Sequence, residues 1–232
     1  MNIALILAGG TGSRIGARCP KQFLKIGGRE IILRTIDAFE RHPQINHIGI
    51  VCASEWISHL SRLTDKEAFQ KLLPLTEGGG NRTESSYKGL HMLEERFSSD
   101  DIVLIHDAAR PFVTEKIISE NIACAKRHGA CVTAIPAQDT VYESCDGKFA
   151  GDIPDRRRLF VAQTPQSFRL SVIRDAYQRL PSAAVPTDDG GVCLLAGIPV
   201  AFAKGDPRNI KITSPADLTA AEAYCKEDFY GE

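Results

Sequence analysis

The sequence predicts an α/β fold: a Rossmann-like, three-layer arrangement around a mainly parallel sheet, with a β-arm projecting from it. Three observations carry this. Short apolar runs without polar alternation, such as NIALILA and DIVLI, read as strands buried on both faces, as parallel sheets demand. These runs alternate with stretches of helical periodicity, joined by connections of crossover length. The rhythm then breaks at residues 138–160, where a polar, turn-rich stretch centres on the hairpin signal Cys145-Asp146-Gly147.

Taken in order, NIALILA is the first strand, and a loop with Gly9, Gly10 and Gly12 follows it. EIILRTIDAFERH places Ile31, Ile32, Thr35, Ile36 and Phe39 at helical spacing. HIGIVCA, residues 47–53, is a second buried strand, and EWISHLSRLTDKEAFQKLL is helical in pattern. The glycine-rich break LTEGGGN separates it from a further helix, RTESSYKGLHMLEERF. A third strand covers Ile102 to Ile105 and ends in charged residues. TEKIISENIACAKRHG is a helix, with Thr114 as its N-cap and Gly129 as its stop. ACVTAIPA is a fourth strand, SFRLSVIRDAYQRL a helix, and PVAFAKG a late strand. The C-terminal helix SPADLTAAEAYCKE carries a Ser214 cap and Pro215 at its first position.

The length of 232 residues suits one large domain, 1–232, and no repeat or linker divides it. With 43% hydrophobic and 25% charged residues the composition is that of an ordinary globular protein. A net charge of −1 excludes a global basic field for nucleic acid or an anionic membrane. The seven cysteines are odd in number, widely spaced and without a CxxC pair, so most of them read as small buried residues rather than a disulfide or zinc framework. The N-terminus lacks the pattern of a signal peptide, and no apolar run approaches the roughly 18 residues of a membrane span. The expectation is a cytoplasmic protein.

In open α/β sheets ligands bind beyond the carboxyl ends of the strands. The residues following each buried run are therefore informative: AGGTGSRIGARCPKQF, EGGGNRTES, HDAARP and PAQDT. The first matches neither a dinucleotide fingerprint nor a P-loop. It offers close backbone approach at Gly9, Gly10 and Gly12 together with the cations Arg14 and Lys21, which suits a polyphosphate; a plain strand–helix turn with two solvated bases explains it equally well. Asp107 and Arg110 stand at the end of the third strand, either facing a ligand or locked as an internal ion pair. His106 reads as structural, since no nucleophile accompanies it. Lys211 lies in a strand-like apolar setting between Ile210 and Ile212, where it faces solvent on an edge strand or serves as a cation near phosphates. Arginines and lysines abound, carboxylates are few, and no covalent nucleophile is evident. That inventory fits phosphoryl or nucleotidyl transfer, in which the protein positions reactants and neutralises developing charge.

The stretches LAGGTGSRIG, PKQFL, GGGNRTES, HDAARPF, QDT, AQTPQSF, TDD and NIKITSPADL follow one another along nearly the whole chain. Together they resemble the cytidylyltransferase family that contains the 2-C-methyl-D-erythritol 4-phosphate and ribitol-5-phosphate cytidylyltransferases. The resemblance implies attack of a polyol phosphate on the α-phosphorus of CTP, giving a CDP-polyol and pyrophosphate. It implies Mg²⁺ on the triphosphate, with no metal ligand assigned to the protein. It implies Arg14, Lys21 and Lys211 as the catalytic cations. Ala8, Gly9, Gly10, Gly12, Gly79, Arg82, Ser85, Asp107 and Ala108 would form the nucleotide site. Asp107, Arg110, Thr140, Arg156, Thr187 and Lys211 would form the acceptor site. Thr140 and Arg156 lie on the arm of residues 138–160, which in the family reaches into the partner subunit of a homodimer.

Some positions depart from the family's pattern. Gly80 and Asn81 stand where an acidic residue often follows the paired glycines. LAGG and TDDGG replace the PAAG and TDDAS typical of the methylerythritol branch. EGGGNRTES, SEWI, DIPDR, QTPQSF and CLLAG lie closer to the ribitol branch, whereas HDAARPF and PRNIKIT lie closer to the methylerythritol branch. The balance favours D-ribitol 5-phosphate as acceptor, with 2-C-methyl-D-erythritol 4-phosphate as the alternative. Two other classes share the glycine loop and the layering: a sugar-1-phosphate nucleotidyltransferase using another NTP, and a nucleotide-binding subunit without turnover.

Overall fold

The computed structural model describes residues 1–10, 19–181 and 184–230. The first strand, β1 (Asn2–Ala8), is buried along its whole length. Its side chains alternate between two separate apolar cores: Ala4, Ile6 and Ala8 face one, and Ile3, Leu5 and Leu7 the other. This double burial explains the unbroken apolar run. After β1 come a short hairpin, β2 (Lys25–Ile26) and β3 (Arg29–Glu30), then α1 (Ile31–Arg41) and β4 (His47–Cys52). Next are α2 (Ser54–Thr64), the two-residue β5 (Thr76–Glu77), α3 (Arg82–Glu94) and β6 (Ile102–Asp107). Then α4 (Glu115–His128), β7 (Ala130–Pro136), β8 (Phe160–Arg169), α5 (Leu170–Gln178), α6 (Asp189–Leu195), β9 (Ala201–Lys204) and α7 (Pro215–Tyr230) complete the chain.

The strands form a seven-stranded sheet in the order β5-β4-β1-β6-β8-β7-β9. Parallel pairing joins β4, β1 and β6 in continuous register, and β8 runs antiparallel to both of its neighbours. Buried residues of α1, α2 and α4 pack on one face, and those of α3, α5 and α6 on the other, giving the three layers. Gly89 sets how closely α3 can approach: a Cβ there would stand 2.7 Å from Val51 Cγ2 and 2.9 Å from Leu5 Cδ1. The helix signals act as their chemistry dictates. The Thr114 hydroxyl accepts from the Ile117 N–H, and Gly129 ends α4 at φ +82°.

Four readings of the sequence need correction. The helix expected over residues 55–73 stops at Thr64. Beyond it, the backbone of Lys71 and Leu73 pairs with Ile48 at the edge of β4, and the Glu40 carboxylate accepts from the N–H groups of Gln70 and Lys71. Sheet-edge pairing thus outweighs helical propensity there. The helix predicted from Ser167 begins at Leu170, because the preceding residues belong to β8. Lys211 lies outside any strand; one backbone bond, Ile212 N–H to Ala109 O, holds the segment. Among the cysteines, Cys52, Cys131 and Cys193 are buried, Cys19, Cys124 and Cys225 are half-buried, and Cys145 is exposed.

β8 went unread as a single strand because its central residues are polar, yet Gln163, Thr164, Gln166 and Ser167 are all buried. They remain in the core because each has partners. Ser167 Oγ donates to Asn121 Oδ1, Gln166 Nε2 donates to Asp188, and Gln166 Oε1 accepts from Gly190 N–H. The β-arm is exposed throughout residues 139–152, with one isolated bridge between Glu143 and Asp152 and a turn at Gly147 with φ +70°.

Candidate functional site

The order of connections creates the site. From β1 the chain proceeds outward to β4 and β5, then returns to β6 on the other side of β1. A crevice opens at such a reversal, beyond the carboxyl ends of the strands. Here it is a cleft of about 370 Å³. Leu7 near the end of β1 and Gly9 and Gly10 beyond it, Gly79 to Arg82 beyond β5, and Asp107 at the end of β6 with Ala108 and Ala109 after it line the cleft. Lys21, Gln22, Ser85, Lys211 and Thr213 are the other described residues of its lining.

One wall is made of backbone and small side chains. Asn81 caps α3, its Oδ1 accepting from Glu84 N–H at 2.9 Å. The Glu84 carboxylate in turn accepts from Gly80 N–H, and the Ser85 hydroxyl accepts from Gly79 N–H at 3.1 Å while donating to Asn81 O. Gly79 has no room for a side chain, since a Cβ there would run into Glu84 Cβ. A Cβ on Gly9 would stand 3.2 Å from Ser85 Oγ, close enough that the hydroxyl would have to yield slightly. The glycines of the two loops therefore let two backbones face each other across a narrow gap.

The floor is electrostatic. Lys211 Nζ lies 2.8 Å from Asp107 Oδ2, Arg110 Nε lies 3.7 Å from the same oxygen, and Arg82 Nε lies 3.8 Å from Oδ1. Burial opposes ionisation of Asp107, but Lys211, Arg82 and Arg110 together hold its carboxyl well below the usual carboxylate range. Arg82 Nη2 also reaches Asp189 Oδ2 at 2.6 Å. The result is a preorganised cation cluster with its counter-charges built in, suited to holding phosphates.

His106 is structural. Nε2 donates to Arg110 O at 3.0 Å and Nδ1 accepts from the Thr164 hydroxyl, which itself accepts from Asp107 N–H. Those bonds specify the neutral imidazole. Burial lowers its pKa from 6.5 to about 4. Its contribution to stability is fully present above pH 6.5 and is lost as pH falls toward 4, on the order of 3 kcal/mol over that window. Urea titrations at pH 7 and pH 4.5 should therefore show a smaller acid loss in His106→Gln than in the unaltered chain. Equal losses in both would contradict this assignment.

Gly9, Gly10, Gly79, Arg82, Ser85, Asp107, Ala108, Lys21 and Lys211, all expected from the sequence, line this one cleft. Ala8 is buried behind it, its carbonyl accepting from Gln22 Nε2 at 2.6 Å. Arg110 is tied to the Asn209 carbonyl at 2.7 Å and stands outside the lining. Thr140 and Arg156 are exposed on the arm, and Thr187 is exposed ahead of α6; none of the three lines the cleft. Gly12 and Arg14 lie outside the described residues.

Three residues escaped the sequence reading. Gln22 donates to both Ala8 O and Gly10 O, closing the base of the glycine loop next to Lys21. Its signal was its place in PKQF, beside the lysine. Asp189 belongs to the TDD stretch but, like Tyr177, carries no signal of its role, because the contacts of Asp189 with Arg82 and with Tyr177 are created only by the fold.

A family model described as IspD: 2-C-methyl-D-erythritol 4-phosphate cytidylyltransferase matches residues 2–227. A 2-C-methyl-D-erythritol 4-phosphate cytidylyltransferase of Geobacter metallireducens is 39% identical over 226 residues, covering 97% of both chains. A ribitol-5-phosphate cytidylyltransferase of Lactiplantibacillus plantarum is 36% identical, over 96% of this chain and 97% of its own. Among solved structures, the 2-C-methyl-D-erythritol 4-phosphate cytidylyltransferase of Francisella tularensis aligns with a TM-score of 0.80 at 29% identity, over 96% of this chain and 98% of its own.

Proposed function

The chain belongs to the 2-C-methyl-D-erythritol 4-phosphate cytidylyltransferase family, and on that premise we propose that it transfers CMP from CTP to D-ribitol 5-phosphate. The coarser statement is plain: it is a CTP-dependent cytidylyltransferase, a nucleotidyltransferase. The observation that carries the reading is the convergence of Lys21, Arg82, Asp107 and Lys211 on a cleft walled by the Gly9–Gly10 and Gly79–Gly80 backbones.

In this reading the cytosine lies against the glycine wall, held by backbone groups and by Ser85. The triphosphate lies along Lys21, Lys211 and Arg14. A phosphate oxygen of the acceptor attacks the α-phosphorus. The new P–O bond forms as the bond to the bridging α–β oxygen breaks, and pyrophosphate leaves with that electron pair. The nucleophile is already an anion, so no strong general base is needed, and the work of the protein is alignment and charge neutralisation. Lys21, Lys211 and Arg14 stabilise the charge that builds on the α-phosphoryl group and on the leaving oxygen.

Among the described residues no group of three or more His, Cys, Asp or Glu side chains is placed to cage a metal. Asp107 is the one carboxylate of the described lining, and Lys211 holds it. A Mg²⁺ would enter on the triphosphate, with Asp107 the carboxylate nearest to hand, and would supply charge neutralisation on the phosphates.

The ribitol acceptor rests on the sequence of the loops, including Gly9 and TDDGG. HDAARPF, PRNIKIT and the Geobacter metallireducens relative favour methylerythritol phosphate as the second reading. We also propose a homodimer in which Arg156 and Thr140 of the arm bind the acceptor in the partner's cleft, with Arg110 and Thr187 completing that site.

The deciding experiment is product analysis with Mg²⁺, CTP and each polyol phosphate in turn, repeated with UTP, GTP and ATP. CDP-ribitol formed at a kcat/KM at least tenfold above that for CDP-methylerythritol is the expected outcome. The reverse ratio would overturn the acceptor assignment, and preference for another NTP would overturn the nucleotide.

A further inference from the structure

Asp189 is fully buried at the first position of α6, and both of its oxygens are occupied. Oδ2 accepts from Arg82 Nη2 at 2.6 Å, and Oδ1 accepts from the Tyr177 hydroxyl at 2.8 Å. Three helices, α3, α5 and α6, thus meet at one carboxylate outside the cleft lining. The tandem acids divide their work. Asp188 caps α6 through Gly191 N–H and accepts from Gln166 Nε2, while Asp189 takes Arg82. Gly190 lets α6 sit against the sheet, since a Cβ there would approach Val132 Cγ2 to 2.5 Å.

Burying an ion pair is a poor way to gain stability, because desolvation offsets most of the attraction. Its return here is orientation. Arg82 stands between two carboxylates, Asp189 behind the wall and Asp107 on the cleft floor. Asp189 holds the guanidinium at 2.6 Å and leaves it 3.8 Å from Asp107. Asp107 is thereby left to Lys211, its partner at 2.8 Å. Without Asp189, Arg82 would turn toward Asp107 and displace Lys211 from it. Tyr177 fixes the second oxygen and so the plane of the carboxylate, which a planar guanidinium fork must match.

We propose that Asp189 and Tyr177 are positioning residues for nucleotide binding: they lock the Arg82 guanidinium onto the cleft wall and keep it from competing with Lys211 for Asp107. This rests on the reading of the cleft as the CTP site.

The test is a double-mutant cycle of Tyr177→Phe and Arg82→Gln, with KM for CTP, kcat and melting temperature measured for each variant. Tyr177→Phe removes one hydroxyl and keeps the ring, so the fold persists. Its KM for CTP should rise about threefold to tenfold through the loosened Arg82, and kcat should fall as well, because Lys211 shares Asp107 with it. In the Arg82→Gln background the same change should add nothing to KM. A fall in melting temperature with KM unchanged in Tyr177→Phe would overturn the proposal, as would an equal KM increase in both backgrounds. If Arg82→Gln alone leaves KM unchanged, the proposal also falls, and the fault then lies with the nucleotide reading of the Arg82 wall.

Discussion

Replacing Lys211 by alanine should lower kcat by about 10²–10³-fold while leaving KM for CTP within about threefold. The size follows from where the charge sits. Lys211 Nζ is held at 2.8 Å by Asp107 on the floor of the cleft. Ground-state CTP has other cations to bind, Lys21 and Arg82 among them. The pentacoordinate phosphorus adds negative charge that is absent from the ground state, and a fixed cation is most effective against charge of that kind. The stability cost should be small, because the Lys211 side chain is 37% exposed and solvent screens its attraction to Asp107. Asp107 keeps Arg82 and Arg110 nearby, so its carboxyl stays below the ordinary range but moves upward. A depressed carboxylate stabilises the fold above its unfolded pKa and loses that contribution as pH falls, so Lys211→Ala should become acid-sensitive at a higher pH than the parent. Steady-state kinetics and a pH series of melting curves read both effects. A variant with kcat within fivefold of the parent would remove Lys211 from the catalytic set.

Much of this site was legible because its chemistry is local. The glycines, Asp107 and Arg82 lie at or just beyond the end of a buried apolar run or a glycine break, Lys21 lies further along the first loop, and strand ends in an open sheet converge. What could not be read depends on distant partners. β8 is split in sequence between the strand-like end of the arm and the start of a helix, because its polar residues become acceptable in a core only once Asn121, Asp188 and Asn209 meet them. Asp189 resembles any helix-capping acid until α3 places Arg82 beside it. The alternation of Ile210 and Ile212 suggests an edge strand for Lys211, yet Ile212 N–H bonds to Ala109 O without any strand forming there. The alternation reported the burial of Ile212 correctly and the backbone state wrongly. Arg110 admits two readings in the sequence; in the fold it donates to the Asn209 carbonyl and forms an ion pair with Asp107 at 3.7 Å, which ties it down beside the proposed acceptor site.

Deleting the arm between Gln138 and Arg156 should yield monomers with CMP transfer reduced by at least about 10²-fold, through loss of groups that position the acceptor. The arm has no core of its own. Val141, Tyr142, Phe149 and Ile153 are all exposed, the last three by 59%, 77% and 54%. A single bridge between Glu143 and Asp152 and the side-chain bonds around Ser144 and Asp146 are too little to hold an isolated hairpin in water. Apolar side chains in that number on so small an element call for a covering surface. In the proposed homodimer a second copy would supply one and would bring Arg156 to its partner's cleft. Within its own chain Arg156 donates to Gln138 O at 2.6 Å, which fixes the base of the arm and leaves other donors of the guanidinium for a phosphate. Arg156→Ala should therefore raise KM for the polyol phosphate about tenfold or more, with KM for CTP changed by less than about threefold, because only one substrate loses a charged contact. Sedimentation of the deletion variant and kinetics of the point variant read the two halves separately. A deletion variant that is monomeric and fully active would show that each cleft is complete within its own chain, and the shared-site dimer would then be wrong.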